Sequence, residues 1–467
     1  MEGAAKGWLA GAVAASALCS SGALAAEDDW LGAPEKSHLI PALDILGFDF
    51  LVNRYNHYVS DEPTAEVTLS TMKDNLRGPW VIDNDPFQIN QLGHPYQGSM
   101  YHGFARSAGL NYWESLGYTF AGSMMWETAG ETTAPSKNDQ IATGIGGTFL
   151  GEPLFRMASL LLENADGEPG FWRELGAAAI SPATGFNRLA FDRFDRVYPS
   201  RDAHYYSRLQ VGMNSIVQDV HGSSATPDPW EGSANFSMDY GLPGKAGYSY
   251  DRPFDYFTFQ ATTSTSDVFE NIVSQGLLYG DRYGIGASYR GVWGLYGSYD
   301  YLSPQIFRIS STAIALGTTG QWWLTDAVVL RGSALLGAGY AAVGTIHGTG
   351  EDDFHYGLTP QASLEMRLIY RERMSFDVAA REYFVTDVAS ADTVGHDSIA
   401  RVEATATLRI RRHHAIALKY IWSHRDASFS GGNDFTQTRG TIGLFYTLLG
   451  ADNFGSLDWR DAAATPP

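Results

Sequence analysis

The sequence predicts a membrane β-barrel of about twelve antiparallel strands, preceded by a small α-helical domain. Three observations carry this. From about Ala203 to Gly450, strand follows strand with side chains alternating in character. The chain opens on an apolar segment of export type. Short and long connections alternate between the strands, as periplasmic turns and external loops do in such barrels.

The alternation is cleanest at residues 401–411. Arg401, Glu403, Thr405, Thr407, Arg409 and Arg411 fall on one face, and Val402, Ala404, Ala406, Leu408 and Ile410 on the other. Successive strand side chains point to opposite faces, so one face wants an apolar neighbour and the other wants water or ion pairs. Periodicity and turn residues start strands near 203, 233, 254, 269, 288, 306, 327, 354, 374, 397, 414 and 434. An even count suits a single-chain bacterial barrel. The inward faces carry interleaved signs at Glu365, Arg367, Asp377, Arg381, Arg401, Glu403 and Arg409. They fit either a salt-bridged, closed lumen or a polar path for a solute.

Residues 1–26 read as a signal peptide. Lys6 is basic, Trp8 to Leu18 is apolar, and Ala23-Leu24-Ala25 places cleavage before Ala26. An apolar helix that stays attached is the other reading. The only cysteine is Cys19, and Leu18 before it disfavours lipidation, so no disulfide or thiolate chemistry is expected beyond the signal. The mean hydropathy of -0.18 fits a barrel, in which lumen and lipid faces average out. Beyond the signal, no run of eighteen apolar residues marks a transmembrane helix. A formal net charge of -20 argues against nucleic acid as a partner.

Residues 27–200 form the helical region, expected as a periplasmic or plug domain, with the barrel at 201–450 and a tail at 451–467. Helices are expected over His38 to Tyr58, Gly98 to Ser107, Trp113 to Glu127, Ser136 to Glu163, and Phe171 to Arg193 with a break near Pro182. Thr64 to Pro86 reads as irregular. Ser136 with Asp139 resembles a capping pair. Thr143, Gly146, Gly147 and Leu150 share a small-residue face that lets another backbone approach. Gly98-Ser99 reads as a tight helix start. The last strand ends near Tyr446 to Gly450 and 17 residues follow, unlike barrels that end on an aromatic residue.

The helical region gathers polar residues in apolar surroundings. It runs Asp83-Asn84-Asp85-Pro86, His94-Pro95-Tyr96-Gln97-Gly98-Ser99-Met100-Tyr101, Asn111-Tyr112-Trp113-Glu114-Ser115 and Trp126-Glu127, then Gly130-Glu131-Thr132-Thr133-Ala134-Pro135-Ser136-Lys137-Asn138-Asp139 and Gly151-Glu152. In these runs residues 60–165 resemble the bacterial family catalogued as domain of unknown function 3943. The resemblance implies a Gram-negative envelope protein and no particular reaction.

Ser123, Glu127 and Glu131 are spaced four apart, as on one helical stripe. Two carboxylates a turn apart in apolar surroundings repel, and at least one holds a proton, as a general acid needs. His94, Ser99, Glu127, Glu131 and Asp139 are the catalytic candidates. No cofactor is expected, although these acids and His94 could take a divalent cation. No zinc motif and no Gly-x-Ser-x-Gly elbow is present. The plainer reading is a buried network locking the helices, with Asp83, Asp85, Arg106, Glu114, Glu152 and Arg156 as members. Glu152 and Arg156 are spaced to pair.

Three functions are in play. The first is an outer-membrane barrel for envelope structure or lipid and solute passage, with outer-membrane lipid and the barrel-assembly machinery as partners. The second is an outer-membrane lipid hydrolase using the helical-domain acids. The third is a soluble periplasmic β-sandwich binding protein.

Overall fold

A computed structural model describes residues 36–460 apart from 84, 164–168, 195, 221–229, 305, 345–352, 388–394, 431–433 and 452. The expected signal peptide and the end of the tail lie outside the described residues. Among the described residues, seven helices precede the strands: α1 Leu39–Tyr58, α2 Leu69–Arg77, α3 His94–Ser107, α4 Tyr112–Ala129, α5 Gly147–Glu163, α6 Phe171–Ile180 and α7 Pro182–Ala190. A π-helical turn, Ile89–Gly93, leads into α3. One helical turn, Lys137–Asp139, and a π-helical stretch, Gln140–Gly146, lead into α5. Helix α2 falls in the stretch expected to be irregular. Its signal is a capping box: Thr68 and Thr71 satisfy each other's backbone N–H groups.

Twelve strands then close into one antiparallel barrel, each paired with its neighbours in sequence and β1 with β12. They are β1 Tyr205–Val220, β2 Trp230–Tyr240, β3 Phe257–Ser264, β4 Asn271–Ile285, β5 Tyr289–Leu302, β6 Arg308–Thr325, β7 Val328–Gly344, β8 Phe354–Tyr370, β9 Met374–Asp387, β10 Gly395–Arg411, β11 His414–Phe429 and β12 Phe435–Leu449. Closure leaves no strand edge unpaired, which is what the inside of a membrane demands. A soluble β-sandwich is therefore not the architecture.

The two ends differ. Turns at 286–288, 326–327, 371–373 and 412–413 mark the short-turn end, where the 241–256 segment also leaves β2. An apolar belt surrounds the wall towards that end. On β11, Ile416, Leu418 and Tyr420 are exposed, while further along the same face come His424 and Asp426. Leu444, Tyr446 and Leu448 continue the belt on β12, and Leu364, Met366 and Leu368 on β8.

The helices do not plug this barrel. They pack on its outer wall. Tyr356 shares the outward face of β8 with exposed Leu358, and it receives the side chains of Asn90 and Gln91 at 3.1 Å each. Phe149 of α5 lies over Gly297, which pairs with outward-facing Ile314. A Cβ at Gly297 would stand 2.5 Å from that ring, so glycine makes the seat. The Phe149 carbonyl accepts from Ser274 Oγ at 2.6 Å. From Gly146, the end of the π-helical stretch beside Tyr299 and Thr312, helix α5 leads on to Glu163, which accepts from Ser200 N near the end of β2.

Candidate functional site

The acid cluster is assembled by local backbone geometry. Ser136 Oγ accepts from Asp139 N at 3.2 Å and caps the Lys137–Asp139 turn, as its spacing predicts. Val81 N donates to Pro135 O at 2.9 Å, and Lys137 N to Val81 O at 2.8 Å. This strap carries Asp83 onto the turn, where Asn138 Nδ2 reaches its Oδ1 at 2.8 Å. Helix α3 crosses the π-helical stretch and α5 so closely that only glycine fits. A Cβ on Gly98 would stand 2.0 Å from the Thr143 carbonyl, and one on Gly147 2.6 Å from Gly98 Cα. Gly98 is thus a mid-helix crossing point and not a helix start. The crossing sets His94 Nε2 3.7 Å from Asp139 Oδ2. From α4, Glu127 Oε2 accepts from Ser136 N at 2.7 Å.

His94, Glu127 and Asp139 are buried, and Glu127 and Asp139 have no exposed surface. Glu127 Oε1 and Asp139 Oδ2 find no hydrogen-bond donor among the described residues. Burial, and then the neighbouring Glu131, push the Glu127 carboxyl up to about 9. Burial also raises Asp139 well above the usual carboxylate range, with Asp83 and Glu127 adding to it. Glu131 lies beyond the end of α4 and not on its stripe; burial pushes it up to about 7. Burial lowers His94, which favours the neutral ring. Such a group can donate and accept protons near neutral pH. Among the described residues no set of three or more His, Asp or Glu could hold a metal ion.

Other candidates lie elsewhere. Ser99 donates to the Tyr96 carbonyl at 2.6 Å and points along its own helix, so no Ser-His pair forms with His94. Glu114 caps α4 with Asn111, each accepting from the other's backbone N–H at 2.8 and 2.9 Å, and pairs with Lys36. Arg106, Glu152 and Arg156 form a separate cluster further along α5. Glu152 bonds Arg106 Nε and His102 at 2.9 Å each, and Arg156 Nε at 2.8 Å. Arg156 also reaches Asp255 at 3.0 Å and so pins α5 to the 241–256 segment.

The lumen candidates mostly pair. Glu365 takes Arg381 at 2.6 Å, and Arg401 reaches Glu403 at 3.0 Å. Arg367 bonds Asp377 and crosses the lumen to Asp239 at 3.0 Å, where Arg331 joins at 3.0 Å. Arg409 falls on the same inward face of β10 near the short-turn end. Tyr383 on β9 spans to Asp300 on β5 at 2.7 Å. The space left among Arg208, Asp239, Arg331 and Arg367 is a cavity of about 100 Å³.

Two parts of these sites had no signal in the chain. Tyr356 meets Asn138 Nδ2 at 2.8 Å across 218 positions. The tail folds back into the short-turn mouth: inward-facing Trp323 Nε1 donates to the Leu457 carbonyl at 2.9 Å, and Arg331 to Phe454 O at 3.3 Å. Arg460 bonds Asp326 at 2.8 Å and covers the Trp323 ring.

No curated protein matches the chain. Solved barrels are similar at a distance. The outer membrane channel DcaP of Acinetobacter baumannii is 7% identical, with 53% of this chain and 97% of that chain covered and a TM-score of 0.25. The NanC porin is 8% identical, with 50% and 98% covered and a TM-score of 0.27. OmpF of Salmonella typhi, in complex with daunomycin, is 11% identical, with 54% and 99% covered and a TM-score of 0.22. Identity and score this low say nothing about what this barrel does. The stretch that builds the acid cluster, residues 79–183, matches the family model described as Domain of unknown function (DUF3943).

Proposed function

We propose that the chain is an outer-membrane barrel with a shut lumen, which serves the envelope on its lipid-facing side. The observation that carries this is the pairing of the lumen: ion pairs cross it while the helices occupy the outer wall. Arg331, Arg367 and Asp239 join opposite walls, and the tail fills one mouth. Separating buried partners leaves uncompensated charge, so such a lattice resists opening. The expected signal peptide would export the chain, the barrel-assembly machinery would insert it, and lipid would be its standing partner. Detergent-purified full-length protein in planar bilayers is expected to give no conductance steps. A variant ending at Ala451 is expected to insert equally well and to gain brief openings. Steady wild-type conductance would sink the proposal and restore solute passage.

A second reading is favoured by the two donorless carboxyl oxygens beside His94: an enzyme acting on outer-membrane lipid. Lipid mass spectrometry of outer membranes with wild type or Glu127→Gln protein, at matched insertion, tests it. Lipids that do not differ would remove it.

A further inference from the structure

Two helices of the helical domain turn polar groups inward and apolar groups outward. Helix α1 buries Asp44, Asp49 and Asn53 towards the domain interior. Its opposite face carries Leu39, Leu43, Leu46, Phe50 and Tyr58, and Phe50 is 63% and Leu43 52% exposed. Helix α4 repeats the arrangement. Ser115, Thr119, Ser123 and Glu127, four apart, point inward, while Trp113 and Met124 are exposed. A helix washed by water turns its apolar stripe to the core and its polar face outward. The reverse is what hydrocarbon imposes, because polar side chains within a membrane face the bundle interior.

The placement agrees. Helix α3 runs from His94, at the end where Asn90 meets Tyr356, towards Arg106 in the Glu152–Arg156–Asp255 cluster. Helix α1 lies alongside α3 in the opposite sense. Ser37 N bonds Ala108 O just before α1, Tyr101 bonds Asp49 midway, and Asn53 bonds Gly130 O further on. Its 20 residues cover about 30 Å, close to the hydrocarbon thickness of a bilayer. No helix among the described residues is long and apolar enough to cross a membrane by itself. The wall supplies what they lack, since the helices pack against the outward face that elsewhere carries the barrel's lipid belt.

We infer that the outward faces of α1 and α4 lie in the same bilayer as the barrel, in contact with lipid acyl chains. The occupant of this surface is hydrocarbon, because the bundle is fixed to the outward face of the barrel through Asn90, Gln91 and Phe149 while α1 and α4 turn their polar groups inward. The inference rests on the membrane-barrel reading above and deepens it. The His94–Glu127–Asp139 cluster then sits at the long-loop end of an immersed bundle, level with Tyr356 and beyond the belt.

The test uses the full chain with Cys19→Ser and one new cysteine per variant: Leu43→Cys, Phe50→Cys and Met124→Cys on the helices, Leu418→Cys on the belt and Glu372→Cys at a short turn. Each is spin-labelled, checked for insertion by its heat-dependent gel shift, and reconstituted into phosphatidylethanolamine and phosphatidylglycerol vesicles. Collision with oxygen is compared with collision with a water-soluble nickel chelate. The helix labels are expected to match Leu418, favouring oxygen about tenfold more than Glu372, because the chelate is excluded from hydrocarbon. Helix labels that behave like Glu372 while Leu418 stays in lipid would overturn the inference and leave the barrel intact. Labels closed to both reagents and broadened by each other would also overturn it, assigning the face to a second copy. An aqueous Leu418 would overturn the inference together with the barrel reading.

Discussion

The barrel lumen and the upper end of the helical domain are both polar interiors behind apolar exteriors, yet they treat charge in opposite ways. In the lumen, Asp239, Glu365, Asp377 and Glu403 each meet an arginine. At the helical end, Glu127 and Asp139 meet His94, Ser136 and Asn138, and no arginine or lysine among the described residues. Paired charges make a lattice that holds shape, although Asp300 meets Tyr383 instead of an arginine. Acids without a counter-charge keep their protons, and protons can be moved. The lower helical cluster, Arg106–Glu152–Arg156, follows the lumen's pattern inside the same domain. The difference therefore belongs to the site and not to the helical fold.

The sharpest way to break the comparison is to unpair the lower cluster. Arg156→Met leaves Glu152 and Asp255 short of a partner, and losing one member of a buried pair costs about 3–5 kcal/mol. The helical domain is expected to become protease-sensitive while the barrel keeps its heat-dependent gel shift. If both change together, the two parts fold as one unit.

Titration comes next. The Glu127 and Glu131 carboxyls are raised above their ordinary 4.5, to about 9 and about 7. A raised carboxyl favours the folded state fully below 4.5, and that contribution is lost as pH climbs through the folded value. Helical-domain stability should therefore decline between about pH 5 and about pH 9, by at most ~1.4 kcal/mol per pH unit for each group. Amide hydrogen exchange of α4 at several pH values reads this. A flat profile would mean that the acids are ionised and paired after all.

Gly98→Ala is expected to cost about 1–3 kcal/mol as overpacking, because its methyl group would strike the Thr143 carbonyl. Urea unfolding followed by tryptophan emission would measure it. The smallest effect is expected from Glu127→Gln. A protonated carboxyl and an amide differ little here, and Ser136 N keeps an acceptor. A change below about 1 kcal/mol, with the upper part of the pH decline removed, fits a carboxyl that already held its proton. A large loss at pH 6 would point to an ionised Glu127.

Most of the barrel could be read in the chain because a strand advertises its environment every second residue. Val402 to Ile410 against Arg401 to Arg411 told both faces, and the expected strand starts fall within about three residues of those found. Helix α2 escaped because it is only nine residues long and mostly polar, although Leu69, Met72 and Leu76 recur at helical spacing behind its capping box. The structure brings His94 near Asp139 and Glu127 onto Ser136, but spacing could not sort Ser99 and Glu114 from them, since each turns to a neighbour in its own helix or cap.

The sequence alone determined a strand series with one apolar and one charged face, helices before it, and a concentration of acids between Asp83 and Glu152, because periodicity and composition are local properties. Tertiary structure alone decided that the helices lie on the outer wall, that Tyr356 completes the acid cluster, and that the tail enters the lumen. Those depend on which surfaces meet across hundreds of residues. A glycine seat such as Gly297 under Phe149 leaves no trace in either segment by itself.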